Sequence, residues 1–273
     1  MEEQTLTTEQ IPKIIFIIPY RDREQQKQFF TNHMKTILED YPVGQCKIYF
    51  SHQTDNRSFN RGAVKNIGFL AMREKYPNDY KNITFVFNDI DTMPFTKNFL
   101  NYETHHGKVK HFYGYEFALG GIVSITGKDF EAVNGFPNYW SWGFEDNLLN
   151  IRIKEARLFI DRSQFYPLMD KNIMQLKDGL TRIVNKKEFD RYVEKTKEGV
   201  SSIQNLNYEV NDNTGMIDIK YFLTEYTENR NFTKLHDLRN GSRPFLPNQP
   251  DQPNQNRPNR FKRGANATMK MFI

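Results

Sequence analysis

Nearly unbroken apolar runs alternate along this chain with segments whose apolar positions recur every three or four residues. Residues 13–20 (KIIFIIPY) are apolar almost throughout and close near a proline, the pattern of a strand buried on both faces of a parallel sheet. Residues 21–39 follow with Phe29, Phe30, Met34 and Ile37 at helical intervals. The pattern predicts a second strand over 46–50 and a helix over 63–75, with Val64, Ile67, Gly68 and Ala71 on one face. Residues 83–87 (ITFVF) read as a third strand running directly into Asn88-Asp89-Ile90-Asp91, and 121–125 as a fourth. A short helix is predicted over 128–133 and a longer one over 145–156. Strands alternating with helices predict an α/β fold with a mainly parallel central sheet, whose ligands sit beyond the carboxyl ends of the strands.

Composition sharpens the boundaries more than the class. Residues 1–12 read as a flexible leader and 13–240 as one folded domain, while 241–273 form a Pro/Asn/Gln-rich tail expected to be disordered. Among 273 residues, 23 Phe and 14 Tyr supply enough apolar bulk for a sizeable core. The net charge of +5 is spread along the chain without a dense basic patch and suits a sugar diphosphate as well as a polynucleotide. No nucleic-acid partner is expected, because a basic nucleic-acid-binding module, the second alternative, leaves the aromatic-acid segment at 134–146 unexplained. A single cysteine, Cys46, excludes an intramolecular disulfide. No run approaches the ~18–20 apolar residues of a membrane span. The start Met1-Glu2-Glu3 lacks the basic-then-apolar order of a signal peptide, so the expected location is cytoplasmic.

Candidate chemistry gathers at the predicted strand ends. A strand turns alternate side chains the same way, so Asp89 and Asp91 can face one ligand together. A hard divalent cation, Mn²⁺ or Mg²⁺, bridging to a diphosphate would relieve the repulsion between them. Standing alone, Asp-X-Asp also describes a solvated turn. Arg21 and Arg23 close the first strand where they could meet phosphate, though a charged helix start has the same composition. Phe59-Asn60-Arg61-Gly62 admits the same two readings. Residues 134–146 (NGFPNYWSWGFED) bring both tryptophans, Trp140 and Trp142, and Tyr139 up to Glu145 and Asp146. Aromatic faces stack on sugar rings and a nearby carboxylate can take a hydroxyl proton. The other reading is an aromatic core loop ending on a helix-starting acid pair.

In order, these motifs resemble the β-1,4-galactosyltransferase family, glycosyltransferase family 7. The family's Pro-Phe-Arg-Asn-Arg matches Pro19-Tyr20-Arg21-Asp22-Arg23, its Phe-Asn-Arg matches Phe59-Asn60-Arg61, and its Asn-X-Gly-Phe matches Asn66-Ile67-Gly68-Phe69. Its Asp-Val-Asp is similar to Asp89-Ile90-Asp91, and its Phe-Gly-Gly-Val-Ser to the stretch from Leu119 to Ser124. Its Asn-Gly-Phe-Pro-Asn…Tyr-Trp-Gly-Trp-Gly-Gly-Glu-Asp-Asp resembles 134–147. The resemblance spans roughly residues 13–210 and implies a GT-A fold and an inverting hexosyltransferase. It implies that Pro19, Arg21, Arg23, Phe59, Arg61, Asp89, Gly121 and Trp142 hold a UDP-sugar donor and that Asp91 binds Mn²⁺. It further implies that Asp146, with Glu145 beside it, is the catalytic base, and that Tyr139, Trp140 and Asn147 face a carbohydrate acceptor. Three departures stand out. Lys177 falls near the family's metal-binding His. Asn147 replaces an Asp, and Ala118 replaces a bulky residue that screens the donor sugar, so N-acetylgalactosamine is expected to fit as well as galactose. The first two leave a catalytically inactive sugar- or nucleotide-binding descendant as the alternative.

Overall fold

The computed structural model describes residues 10–176 and 179–246. Its first half runs β1 (Ile14–Tyr20), α1 (Glu24–Ile37), β2 (Cys46–Gln53), α2 (Arg61–Lys75), β3 (Thr84–Asn88), β4 (Thr92–Pro94), β5 (Lys108–Gly114), β6 (Ile122–Thr126) and α3 (Gly127–Ala132). There follow α4 (Glu145–Glu155), β7 (Phe159–Asp161), β8 (Tyr166–Pro167), β9 (Ile173–Gln175), β10 (Thr181–Asn185), α5 (Lys186–Val193), β11 (Gln204–Asn211), β12 (Met216–Leu223) and β13 (Thr233–Asp237).

The main sheet has the order β11-β12-β2-β1-β3-β6-β5-β7, with β8 also against β5. β1 pairs parallel with β2 and β3, and β2 parallel with β12. β6 lies antiparallel between β3 and β5. The α/β expectation therefore holds, with a mixed, mostly parallel sheet. β1 shows why its sequence is apolar throughout. Ile15 and Ile17 point into the core that holds α2, while Ile14, Phe16 and Ile18 point into the one that holds α1. Each side chain buried in this way stabilises the fold by roughly 1.5–3 kcal/mol.

Two small sheets finish the side of the molecule where the strands end. β4 pairs antiparallel with β9, which sets Met174 opposite Met93. β10 pairs antiparallel with β13, joining residues far apart in the chain. Residues 241–246, assigned to the tail by composition, are packed instead: the Phe245 ring lies 5.5 Å from that of Phe189, and Leu246 joins the same cluster. The rest of the expected tail, most of the expected leader, and Lys177 lie outside the described residues. Among the described residues no helix is long and apolar enough to cross a membrane.

Candidate active site

A cleft of about 640 Å³ opens where β1 and β3 end. Pro19, Arg21, Arg23, Phe59, Arg61, Asp89, Asp91, Gly121, Trp142, Glu145, Asp146 and Asn147 all line it. Its centre is Arg61, the first residue of α2. The Asn60 side chain caps that helix by accepting from the Ala63 N–H at 2.9 Å and donates to the Asn138 carbonyl at 3.0 Å. One turn on, Asn66 donates to the Phe136 carbonyl and accepts from its N–H, at 2.8 and 3.0 Å. These buried amides lock the start of α2 to the segment that delivers Glu145 and Asp146.

Arg61 divides its guanidinium among three carboxylates. Nη1 donates to Glu145 at 2.5 Å and to Asp146 at 2.9 Å, and Nη2 donates to Asp89. Lys65, four residues along the helix and buried, donates to Asp146 at 3.2 Å and lies 3.9 Å from Asp89. Burial opposes the Arg61 charge, but Asp146, Asp89 and Glu145 outweigh it and hold its pKa well above the usual value. Burial likewise opposes charge on Asp146, yet Arg61 and Lys65 win, keeping this carboxyl below the ordinary aspartate range. Glu145 behaves oppositely. Burial pushes its carboxyl up against the pull of Arg61, and its Oε2 has no hydrogen-bond partner among the described residues. Two adjacent carboxyls are thus driven apart, one held ionised and the other drawn towards protonation.

The β3–β6 pairing positions the opposite wall of the cleft. The Asp89 N–H donates to the Gly121 carbonyl at 2.9 Å. Gly121 has φ +68°, which favours glycine, and a Cβ there would meet the Tyr113 carbonyl oxygen at 2.4 Å. At Gly120 a Cβ would lie 2.3 Å from Asp146 Oδ2, so this carboxylate needs a bare backbone beside it. Arg21 donates to the Arg57 carbonyl at 2.6 Å and stacks 5.1 Å over Phe59. Asp91 Oδ1 accepts from the Thr92 hydroxyl at 3.0 Å, and Oδ2 lies 3.6 Å from Arg23. No group of three His, Cys, Asp or Glu side chains that could hold a metal occurs among the described residues. Asp91 is a single hard oxygen donor. It fits a cation completed by substrate phosphate oxygens better than one caged by protein alone.

Two expected acceptor contacts are corrected. Trp140 is buried, stacked 5.5 Å from Phe222, with its indole N–H donated to the Tyr226 carbonyl at 2.8 Å. Tyr139 is buried beneath the Arg191 guanidinium. Both belong to the core, and only Trp142 of the aromatic trio faces the cleft. Lys65 was missed, although its spacing from Arg61 puts both on one helix face and is legible in the sequence. Tyr115 and Phe117 also line the cleft without having been anticipated.

Known proteins share the fold and the sequence family of this chain. The fold matches Drosophila β1,4-galactosyltransferase 7, solved as a mutant with manganese, UDP-Gal and xylobiose (TM-score 0.59, 20% identity, 80% of this chain and 96% of that one). A second structure of its catalytic domain, with xylobiose, matches with a TM-score of 0.56 and 22% identity over the same shares. The fold is therefore that of the GT-A nucleotide-sugar transferases. Residues 6–103 match the N-terminal region of glycosyl transferase group 7, and 103–175 the profile described as the N-terminal domain of galactosyltransferase. Xylosylprotein 4-beta-galactosyltransferase of Caenorhabditis elegans is 33% identical over 159 residues, 55% of this chain and 53% of its own. Beta-1,4-galactosyltransferase 4 of Cricetulus griseus is 30% identical over 163 residues, 56% and 45% respectively. The chain belongs to glycosyltransferase family 7, the β-1,4-galactosyltransferase family, and spans about half the length of these relatives.

Proposed function

We propose that this chain is an inverting hexosyltransferase that moves galactose or N-acetylgalactosamine from a UDP-sugar to a carbohydrate hydroxyl. The observation that carries the reading is Asp146, a carboxylate on the cleft wall kept ionised by Arg61 and Lys65. An acceptor hydroxyl seated against it attacks the anomeric carbon. As the new C–O bond forms, the bond to UDP breaks, UDP departs with the electron pair, and the hydroxyl proton passes to Asp146. Arg21 and Arg23 stand where the diphosphate charge would collect, and Phe59 offers an aromatic face for the uridine. Ala118, small and at the cleft wall, leaves room for an N-acetyl group on the donor.

Manganese accompanies UDP-Gal in the Drosophila relative, and here Asp91 would be its carboxylate ligand. When bound, the ion would offset charge on the departing diphosphate. Because Asp91 is one ligand among the described residues, Mn²⁺ is expected to bind weakly alone and tightly with UDP. Calorimetry in both conditions checks this, and equal affinities would contradict a cation shared with substrate.

The activity test is a panel of UDP-sugars and neutral or charged monosaccharide acceptors, with transfer followed by product analysis. Asp146→Asn is expected to lower kcat by about 10²–10⁴-fold with donor affinity retained. Turnover undiminished by that substitution would remove Asp146 as the base. Donor binding without turnover in the unsubstituted protein would favour the inactive-descendant reading.

A further inference from the structure

One part of the cleft is built by residues outside the 6–175 segment that the family profiles match. Leu238, Ser242, Arg243 and Pro244, which follow β13, line it opposite no assigned function. The Arg243 guanidinium lies 4.8 Å over the Phe117 ring. Phe117 stacks in turn on Tyr115, with centroids 5.0 Å apart and planes inclined by 20°, and the two rings are 40% and 38% exposed.

The platform is held rigidly. The Ala118 N–H donates to the Tyr115 carbonyl at 3.1 Å, Arg162 to the Glu116 carbonyl at 2.8 Å, and Asn150 to the Phe117 carbonyl at 3.2 Å. It is also tied to the base. Two residues on from Phe117, the Leu119 N–H donates to the Asp146 carbonyl at 2.9 Å. Phe117 and Asp146 line the same cleft, so a molecule resting on that ring shares the cavity with the proposed base.

Arg243 differs from the cations beside Asp146 and Asp91. Arg61 and Lys65 are committed to Asp89, Glu145 and Asp146, and Arg23 lies beside Asp91. Among the described residues no carboxylate forms an ion pair with Arg243. A guanidinium beside an aromatic ring still has N–H donors to offer a planar or tetrahedral oxyanion, while the aromatic surface suits the apolar face of a sugar.

We propose that Arg243 and Phe117 form an acceptor subsite that selects a sugar bearing an anionic group, a carboxylate or a phosphate ester. The word acceptor rests on the transferase reading above; the binding preference does not. The experiment measures affinity directly, by calorimetry on the full chain with and without UDP. The probes are methyl glucoside, methyl glucuronide and methyl glucoside 6-phosphate. The charged sugars are expected to bind at least about tenfold more tightly than the neutral one, and Arg243→Gln to erase the difference. Tighter binding of the glucuronide identifies a uronic acid, and the reverse order a phosphate ester; either supports the subsite. Equal affinities for all three, or a preference that survives Arg243→Gln, overturns it. The two readings fail separately. Transfer of sugar with no charge preference refutes the subsite alone, whereas selective binding of charged sugars without transfer refutes the transferase alone.

Discussion

Arg61 and Lys65 serve one carboxylate from two directions and keep Asp146 in the ionised form that the proposed base role requires. Lys65 is the cleaner residue to remove, because Lys65→Met keeps the buried stem and discards only the ammonium. Loss of that cation lets burial raise the Asp146 carboxyl. The acidic limb of the kcat/KM profile is then expected to move to higher pH, with kcat lower by about tenfold. An unmoved limb would mean that Lys65 does not reach the base electrically. At this scale the sequence is readable where a residue's environment follows from its position on an element. Asp89, Arg61 and Asp146 stand at a strand end and at two helix starts, and the structure gathers all three. Lys65 hides because a lysine in mid-helix ordinarily signals solvent. Tyr139 and Trp140 were misplaced for a related reason: density of aromatic residues marks a surface that packs, without saying whether sugar or protein covers it. Arg243 sits in a stretch whose composition suggested a tail, so nothing local announced it.

The helix that presents the acid pair begins under strain. Phe144, ahead of α4, has φ 71°, a left-handed conformation that costs a non-glycine residue roughly 1–2 kcal/mol. The resemblance places a glycine there in the family. The buried ring offsets the cost by packing 4.8 Å from Tyr192 and 5.1 Å from Phe189. Phe144→Gly would relieve the backbone and vacate the cluster, and the cavity term is the larger, about 3–5 kcal/mol for loss of a buried Phe ring. The variant is therefore expected to lower the urea midpoint, and a raised midpoint would show that strain dominates. Elements with their own periodicity, such as β1, β3 and α2, were legible almost to the residue. The β10–β13 pairing was not, since neither strand is apolar enough to declare itself and each depends on a partner distant in sequence.

Across the whole molecule, acid is expected to loosen the fold through His111. The imidazole is buried beside β6, accepting from Arg162 Nε at 3.2 Å on Nδ1 and donating from Nε2 to the Tyr113 carbonyl at 3.1 Å. Burial, reinforced by Arg162, pushes its pKa down to about 4. The unfolded chain, with an ordinary histidine near pH 6.5, then binds the proton more readily than the folded one. Stability from this residue is full above about pH 6.5 and declines as pH falls towards 4, by at most about 3 kcal/mol. Urea titrations across that window should show falling midpoints, and the fall should be smaller in His111→Asn. Equal slopes in the two proteins would rule His111 out as the cause. The overall class was legible because strand–helix alternation is written in local periodicity. The shape of the cleft was not, because its far side comes from a fold-back of the chain that no window of sequence contains.

That fold-back has a bearing on synthesis. β10 finds its partner only when β13 exists, and Arg243 follows later still. A nascent chain leaves the ribosome with Arg61, Asp89 and Asp146 already able to assemble while the opposite side of the cleft is still unmade. At ~5–20 residues per second, the interval between β10 and β13 lasts on the order of seconds. For that time Ile183 and its neighbours present an unpaired edge, and the crowded surroundings of translation are where this chain is most exposed to pairing with the wrong strand.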